Sequence, residues 1–180
     1  MSSGVEPHTR GYKRKGSLMS DLVEDQLVAE VARDQVEQIA PQEAPIFPLL
    51  SEAYFQDPDK MLKAQGKDEM LGFGLEVGAV LLTPVVMTVT KEVVEFVAGV
   101  VMTSVQTQSS GLINEFVKKM FTRFRREGEE RGDKLPPPLT REQIGRVREI
   151  ALEKARQLEL APDQAGLLAD SLVGSLATTA

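Results

Sequence analysis

The residues that could carry chemistry are few, and most of them are carboxylates. The 180-residue chain has one histidine, His8, and no cysteine. Because His8 lies in the predicted N-terminal arm, we expect no catalytic triad, histidine acid–base relay or multi-histidine metal site within one chain. The lack of cysteine removes thiolate nucleophiles and ligands. Carboxylate pairs remain, such as Asp57 with Asp59 and Glu92 with Glu95. Such pairs are common on solvated surfaces, so we predict a non-enzymatic protein with no catalytic residue, metal site or cofactor.

Composition indicates an intracellular protein with an aliphatic core. The hydrophobic fraction is 42%, aromatic residues make up 5%, and tryptophan is absent. A chain of this size and hydrophobicity can bury a core. The absence of cysteine argues against a disulfide-stapled secreted module, and residues 1–18 lack the apolar segment of a secretory signal. We therefore predict a cytoplasmic protein, with membrane association as an open alternative.

The net charge of −6 is distributed unevenly along the chain. Residues 19–70 carry −8, whereas residues 1–18 carry +3 and residues 112–131 carry +2. The acidic and basic segments either neutralise each other in the fold or form two separate binding surfaces. The negative total and the lack of a recognised binding motif disfavour nucleic acid as a partner.

The elements that must position these residues begin with an acidic helix. From Asp21 onward, apolar residues recur at helical spacings with acids between them, and Pro41 ends the run. The next stretch, Ala44–Lys60, holds three prolines and a local apolar cluster. Because proline restricts its own φ and the residue before it, we predict an extended clip with one short helical turn at 51–56, packed against the main helices.

The Val-rich stretch Thr83–Met102 is the main ambiguity. A membrane-spanning helix needs about 20 largely uncharged residues, and three charged residues interrupt this one. They are Lys91, Glu92 and Glu95. The apolar period near 3.6 predicts a helix with Pro84 in its first turn, preceded by a shorter apolar helix over residues 69–82. Alternating Val and Thr in Val80–Thr90 leaves a strand as the competing interpretation.

Residues 112–126 carry the strongest periodic signal in the chain. Apolar residues repeat without a miss on one side, which predicts a basic amphipathic helix. Its cations are the predicted contacts for anionic lipid or an acidic partner: Lys118, Lys119, Arg123, Arg125 and Arg126. The alternative is a core helix whose cations are solvated or pair with the acidic segment.

The C-terminal part of the chain predicts a helical hairpin. Residues 132–139 form a proline-rich linker, and Thr140 is placed to cap the first helix of a hairpin over residues 140–180. The second helix carries a leucine stripe that needs a covering surface, either the central helices or another protein. These predicted partner-helix contacts are Leu168, Leu172 and Leu176.

Together these patterns predict an all-α protein. We expect a disordered basic arm over 1–18 and a small helical bundle over 19–131, with a proline-rich N-terminal clip and a linked C-terminal helical hairpin. The predicted function is a protein-interaction adaptor or assembly subunit that binds a protein partner or forms a homo-oligomer. The alternative is a small membrane-associated or membrane-perturbing protein that uses residues 70–105 and the basic helix 112–126.

Overall fold

A computed structural model describes residues 23–63, 81–121 and 138–176, and these residues form an all-α helical bundle. The predicted fold class is confirmed. Within the described residues the bundle has seven α-helices, which we number in chain order. They are α1 (Asp25–Ile39), α2 (Phe47–Gln56), α3 (Pro58–Lys63), α4 (Thr83–Val105), α5 (Ser110–Met120), α6 (Arg141–Gln157) and α7 (Pro162–Ser175).

The Val-rich helix α4 is the centre of the bundle. It packs against α1, α2, α3, α5 and α6, and its first eight residues are all buried except Thr88. Burial of each valine side chain contributes on the order of 1.5 kcal/mol or more, which outweighs the small helix-propensity penalty of a β-branched residue. The strand alternative for Val80–Thr90 is therefore wrong from Thr83 onward, and Pro84 lies in the first turn of the helix as predicted.

The start of α4 is capped from a distant part of the chain. The Glu43 carboxylate accepts hydrogen bonds from the backbone N–H groups of Leu82 and Thr83, both at 2.8 Å, and from the Thr83 hydroxyl at 2.7 Å. Glu43 is only 4% exposed. The Glu43 carboxylate therefore satisfies free N–H groups at the positive end of the helix.

The acidic helix α1 runs antiparallel to α4. The backbone N–H of Glu24, just before α1, donates to Asn114 Oδ1 at 3.0 Å in α5, the helix that follows the end of α4. Glu43, after the end of α1, binds the start of α4. The helix starts at Asp25, four residues after the predicted start at Asp21, and it ends before Pro41 as predicted. Its apolar side lies in the core.

The predicted clip is more helical than its prolines suggested. A 3-10 turn, Ala44–Ile46, leads directly into α2, so the expected extended entry is wrong. Pro45 and Pro48 lie in the first turns of these elements, where the missing N–H costs no hydrogen bond. Packing of the clip against the main helices is confirmed by a 3.0 Å hydrogen bond between Tyr54 of α2 and Thr88 of α4.

The basic helix α5 ends earlier than the periodicity predicted. Phe121 has an extended backbone, is buried, and forms an isolated antiparallel bridge with Leu176 after α7. The prediction of a continuous helix over 112–126 is therefore wrong at Phe121. Residues 122–126, the predicted helix over 69–80 and the arm over 1–18 lie outside the described residues.

The C-terminal helices α6 and α7 form the predicted hairpin, and they pack on the rest of the chain. Thr140 caps α6 in a capping box, in which the Gln143 N–H donates to the Thr140 hydroxyl at 3.2 Å and the Thr140 N–H donates to Gln143 Oε1 at 2.8 Å. Helix α6 packs on α4, and α7 packs on α1. A hydrogen bond of 2.8 Å between Ser171 and Gln38 joins α7 to α1.

Two polar side chains lie inside this apolar core without a hydrogen-bond partner in the described part of the chain. They are Gln35 of α1, through both amide atoms, and Thr90 of α4, through its hydroxyl. Both residues are fully buried. Unpaired buried polar groups oppose folding because they lose their hydrogen bonds to water.

Candidate interaction groove

A groove runs along the surface between α4 and α6. Its volume is about 680 Å³. Three half-buried apolar side chains form its floor, Phe96 and Val100 from α4 and Ile150 from α6. Polar and charged side chains line the rest. The described ones are Glu92, Glu95, Thr103, Ser104, Gln143, Arg146, Glu153, Lys154 and Gln157.

The length of the groove follows from how the two helices pair. At one end, Lys154 Nζ of α6 lies 3.0 Å from Glu92 Oε2 of α4. At the other end, the groove is lined by Thr103, eleven residues after Glu92, and by Gln143, eleven residues before Lys154. The helices are therefore antiparallel. At 1.5 Å per residue the groove extends for about 16 Å, close to three helical turns.

The two ends of the groove differ in charge. Glu92, Glu95 and Glu153 lie at one end, where Lys154 is the cation that pairs with Glu92. At the other end the α4 side consists of the hydroxyls of Thr103 and Ser104, which donate to the carbonyls of Gly99 and Val100 in their own helix. The groove thus has an acidic end, an apolar middle and a mostly uncharged α4 rim at the far end.

Only part of the predicted cationic surface falls within the described residues. Lys118 and Lys119 are half-buried near the end of α5. Lys119 Nζ lies 2.8 Å from Glu115 Oε1 and 5.9 Å from the centre of the Phe116 ring. The remaining three predicted cations, Arg123, Arg125 and Arg126, lie outside the described residues.

The apolar side of α5 is already occupied. Ile113, Val117 and Met120 are buried in the core of the bundle. Insertion of this stripe into a bilayer would require α5 to leave the bundle. Within residues 23–63, 81–121 and 138–176, no helix is both long and apolar enough to cross a membrane.

The predicted partner leucines face the protein's own interior. Leu168 and Leu172 are fully buried and Leu176 is nearly so. The sequence left two possible covering surfaces for α7, the rest of the chain or another protein. In the structure, α6 and α1 of the same chain cover it. We therefore correct the predicted role of these residues from partner contact to core packing, since no partner reaches them while α7 is docked.

The carboxylate pairs have different surroundings. Asp57 caps α3, because its Oδ1 accepts the Lys60 N–H at 3.0 Å. Glu92 and Glu95 lie along the groove. No group of three or more His, Asp or Glu side chains among the described residues is arranged to hold a metal ion.

The fold and the groove together define a class, an all-α helical bundle with an open groove between α4 and α6. Comparisons of the chain with protein-family models, curated proteins and solved structures found no match. Functional inference therefore depends on the chain's own surface.

Sequence reasoning missed both the groove and the Glu43 cap. Phe96, Val100 and Ile150 follow the same apolar periodicity as the core residues, so nothing in the pattern distinguishes a partly open position from a closed one. The available signal was the small or short polar residues beside them, Gly99 and Thr103, which leave space on that face of α4.

Proposed function

We propose that this protein is an intracellular, non-enzymatic interaction subunit that binds a protein partner in the groove between α4 and α6. The observation that supports this proposal is the apolar floor of Phe96, Val100 and Ile150 beneath a charged rim. An apolar centre surrounded by polar residues is the usual composition of a protein interface. The length of about 16 Å suits a short helix of the partner, docked through residues one turn apart.

The membrane-associated alternative has less support. The apolar residues that α5 would insert into lipid are packed in the core, which leaves Leu112 as its exposed apolar side chain and Phe116 as a partly buried one. A single exposed leucine near two lysines gives weak attraction to an anionic bilayer.

The proposal is tested by affinity capture of partners with a variant that blocks the groove. Thr103→Arg combined with Ser104→Arg places two long side chains at its rim, and both positions are exposed and bond only to their own helix. The matched control is Leu167→Arg, at a 50% exposed position of α7 outside the groove. We expect a partner that the wild type and the control both recover and the double variant loses.

Two results would contradict the proposal. Recovery of the same partners by the double variant would exclude the groove as the binding surface. Co-sedimentation of the wild-type protein with anionic phosphatidylserine vesicles, undiminished by the double variant and abolished by Lys118→Gln with Lys119→Gln, would favour the membrane alternative.

A further inference from the structure

We infer that the groove binds the outer face of α5 from a second copy of the same chain. This inference deepens the proposed function, because it takes the groove as an interaction surface and names its occupant. Three features of α5 support it: its length, its exposed apolar residue and the position of its charges.

The length of α5 matches the groove. Helix α5 has 11 residues, which corresponds to about 16 Å. The interval between the Glu92–Lys154 pair and the Thr103–Gln143 end has the same length. A helix of this size can lie along the whole groove without projecting beyond either end.

The outer face of α5 offers one exposed apolar side chain and one that is partly buried against its own core. Leu112 is 46% exposed, and Phe116, one turn later on the same face, is only partly buried. Positions i and i+4 are adjacent on a helix surface. Leu112 and Phe116 therefore form a short apolar strip that fits the floor made by Phe96, Val100 and Ile150.

The charges of the two surfaces are complementary in one orientation. Lys118 and Lys119 lie at the end of α5, about 10 Å along the helix from Leu112. Glu92 and Glu95 lie about 12 and 8 Å along α4 from Val100. When Leu112 lies over Val100, Lys119, which is seven residues after Leu112 and on the same face of α5, reaches the acidic end. In this orientation α5 of the second copy runs antiparallel to α4.

This contact joins two different surfaces, so it is heterologous. Each chain has one α5 and one groove, and each can engage a different neighbour. Contacts of this kind produce closed rings or open chains rather than a two-fold dimer. We therefore expect the full-length protein to form assemblies larger than a dimer at high concentration.

Sedimentation velocity of the full-length protein over a concentration series tests the inference. We expect the sedimentation coefficient to increase with concentration for the wild type. Leu112→Ser should weaken association by roughly tenfold or more, because it removes the central apolar anchor. Leu167→Ser, at the other exposed leucine, should leave association unchanged.

A charge exchange tests the orientation. Lys119→Glu and Glu153→Lys should each weaken self-association, because like charges then meet at the acidic end. An equimolar mixture of the two variants should restore it, since each variant's α5 then finds a complementary groove in the other. Circular dichroism of both variants checks that a loss of association does not come from unfolding.

A wild-type protein that stays monomeric at all concentrations would overturn the inference, and so would an assembly that neither charge reversal weakens. The proposed function fails separately. A monomer that still captures a different protein through the groove, and loses it with Thr103→Arg and Ser104→Arg, would retain the proposed function while excluding a second copy as the occupant.

Discussion

Glu43 and Thr83 are forty residues apart in the chain, and the Glu43 carboxylate accepts two hydrogen bonds from Thr83 at the first turn of α4. A third hydrogen bond comes from the Leu82 N–H. A residue outside the helix thus supplies the cap that a local side chain usually provides. This contact joins the turn after α1 to the start of the central helix.

Removal of this cap should destabilise the bundle. Glu43→Ala leaves the two N–H groups and the Thr83 hydroxyl without their acceptor, and we expect a loss of about 2 kcal/mol in the free energy of unfolding. Glu43→Gln should lower the free energy of unfolding by less, because its amide oxygen still accepts hydrogen bonds. Urea denaturation measures both, with the exposed Glu52→Ala in α2 as the control. Equal stabilities for Glu43→Ala and Glu52→Ala would show that the cap contributes nothing.

The hydrogen bond between Tyr54 and Thr88 should make stability sensitive to alkaline pH. Thr88 donates its hydroxyl proton to the Pro84 carbonyl at 2.8 Å, so Tyr54 is the donor to Thr88. Burial raises the pKa of Tyr54 above its ordinary value of 10.0; the hydrogen bond with Thr88 lowers it by a smaller amount, and the carboxylates of Glu95 and Asp25 raise it. The neutral phenol is therefore favoured in the folded state.

The sign of the pH effect follows from this raised pKa. Below pH 10 the phenol is protonated in both states and its contribution is complete; as the pH rises through 10 toward the folded-state pKa, the unfolded state loses its proton first and stability falls. Tyr54→Phe should cost about 1 kcal/mol at neutral pH and should reduce the loss of stability above pH 10. An identical alkaline decline in wild type and variant would assign the effect to other groups.

Replacement of the buried amide of Gln35 should stabilise the protein. Gln35 is fully buried, with neither amide atom hydrogen-bonded to the described residues. Gln35→Met has a similar shape and no amide to desolvate, so we expect the free energy of unfolding to increase by about 1 to 3 kcal/mol. Thr90→Val should act in the same direction by a smaller amount. Thermal and urea denaturation measure both, and a destabilised Gln35→Met would show that the amide is paired in solution.

Two neighbouring leucines in α7 should respond very differently to truncation. Leu168 is fully buried, whereas Leu167 is 50% exposed. Leu168→Ala should lower the free energy of unfolding by about 2 to 5 kcal/mol, and Leu167→Ala by less than about 0.5 kcal/mol. Urea denaturation of the two variants compares them within one helix. Similar small losses would mean that α7 is not docked on α1 and α6 in solution.

Much of the helical architecture was predictable because it depends on local pattern. The end of α1 before Pro41, the start of α4 near Pro84 and the Thr140 cap all follow from residue types whose backbone and capping preferences act within a few residues. The apolar periodicity also identified which side of α5 and α7 needed to be covered.

The predictions that failed depended on contacts between distant residues. Phe121 continues the helical pattern of α5, yet its backbone is extended because it pairs with Leu176 and is buried there. The leucine stripe of α7 had two candidate covering surfaces, and only docking on α1 and α6 selected between them. A periodic pattern predicts that one face of a helix is buried, but it does not identify the surface that covers that face.

The sequence by itself therefore determined most of the helices, the Thr140 cap and the apolar faces, since propensity, proline geometry and periodicity operate over a single turn or a single helix. The tertiary structure alone decided that Glu43 caps α4 and that Phe96, Val100 and Ile150 form an open groove while similar residues close a core. These features depend on which helices meet and how closely, and that is set by the packing of the whole bundle rather than by any local pattern.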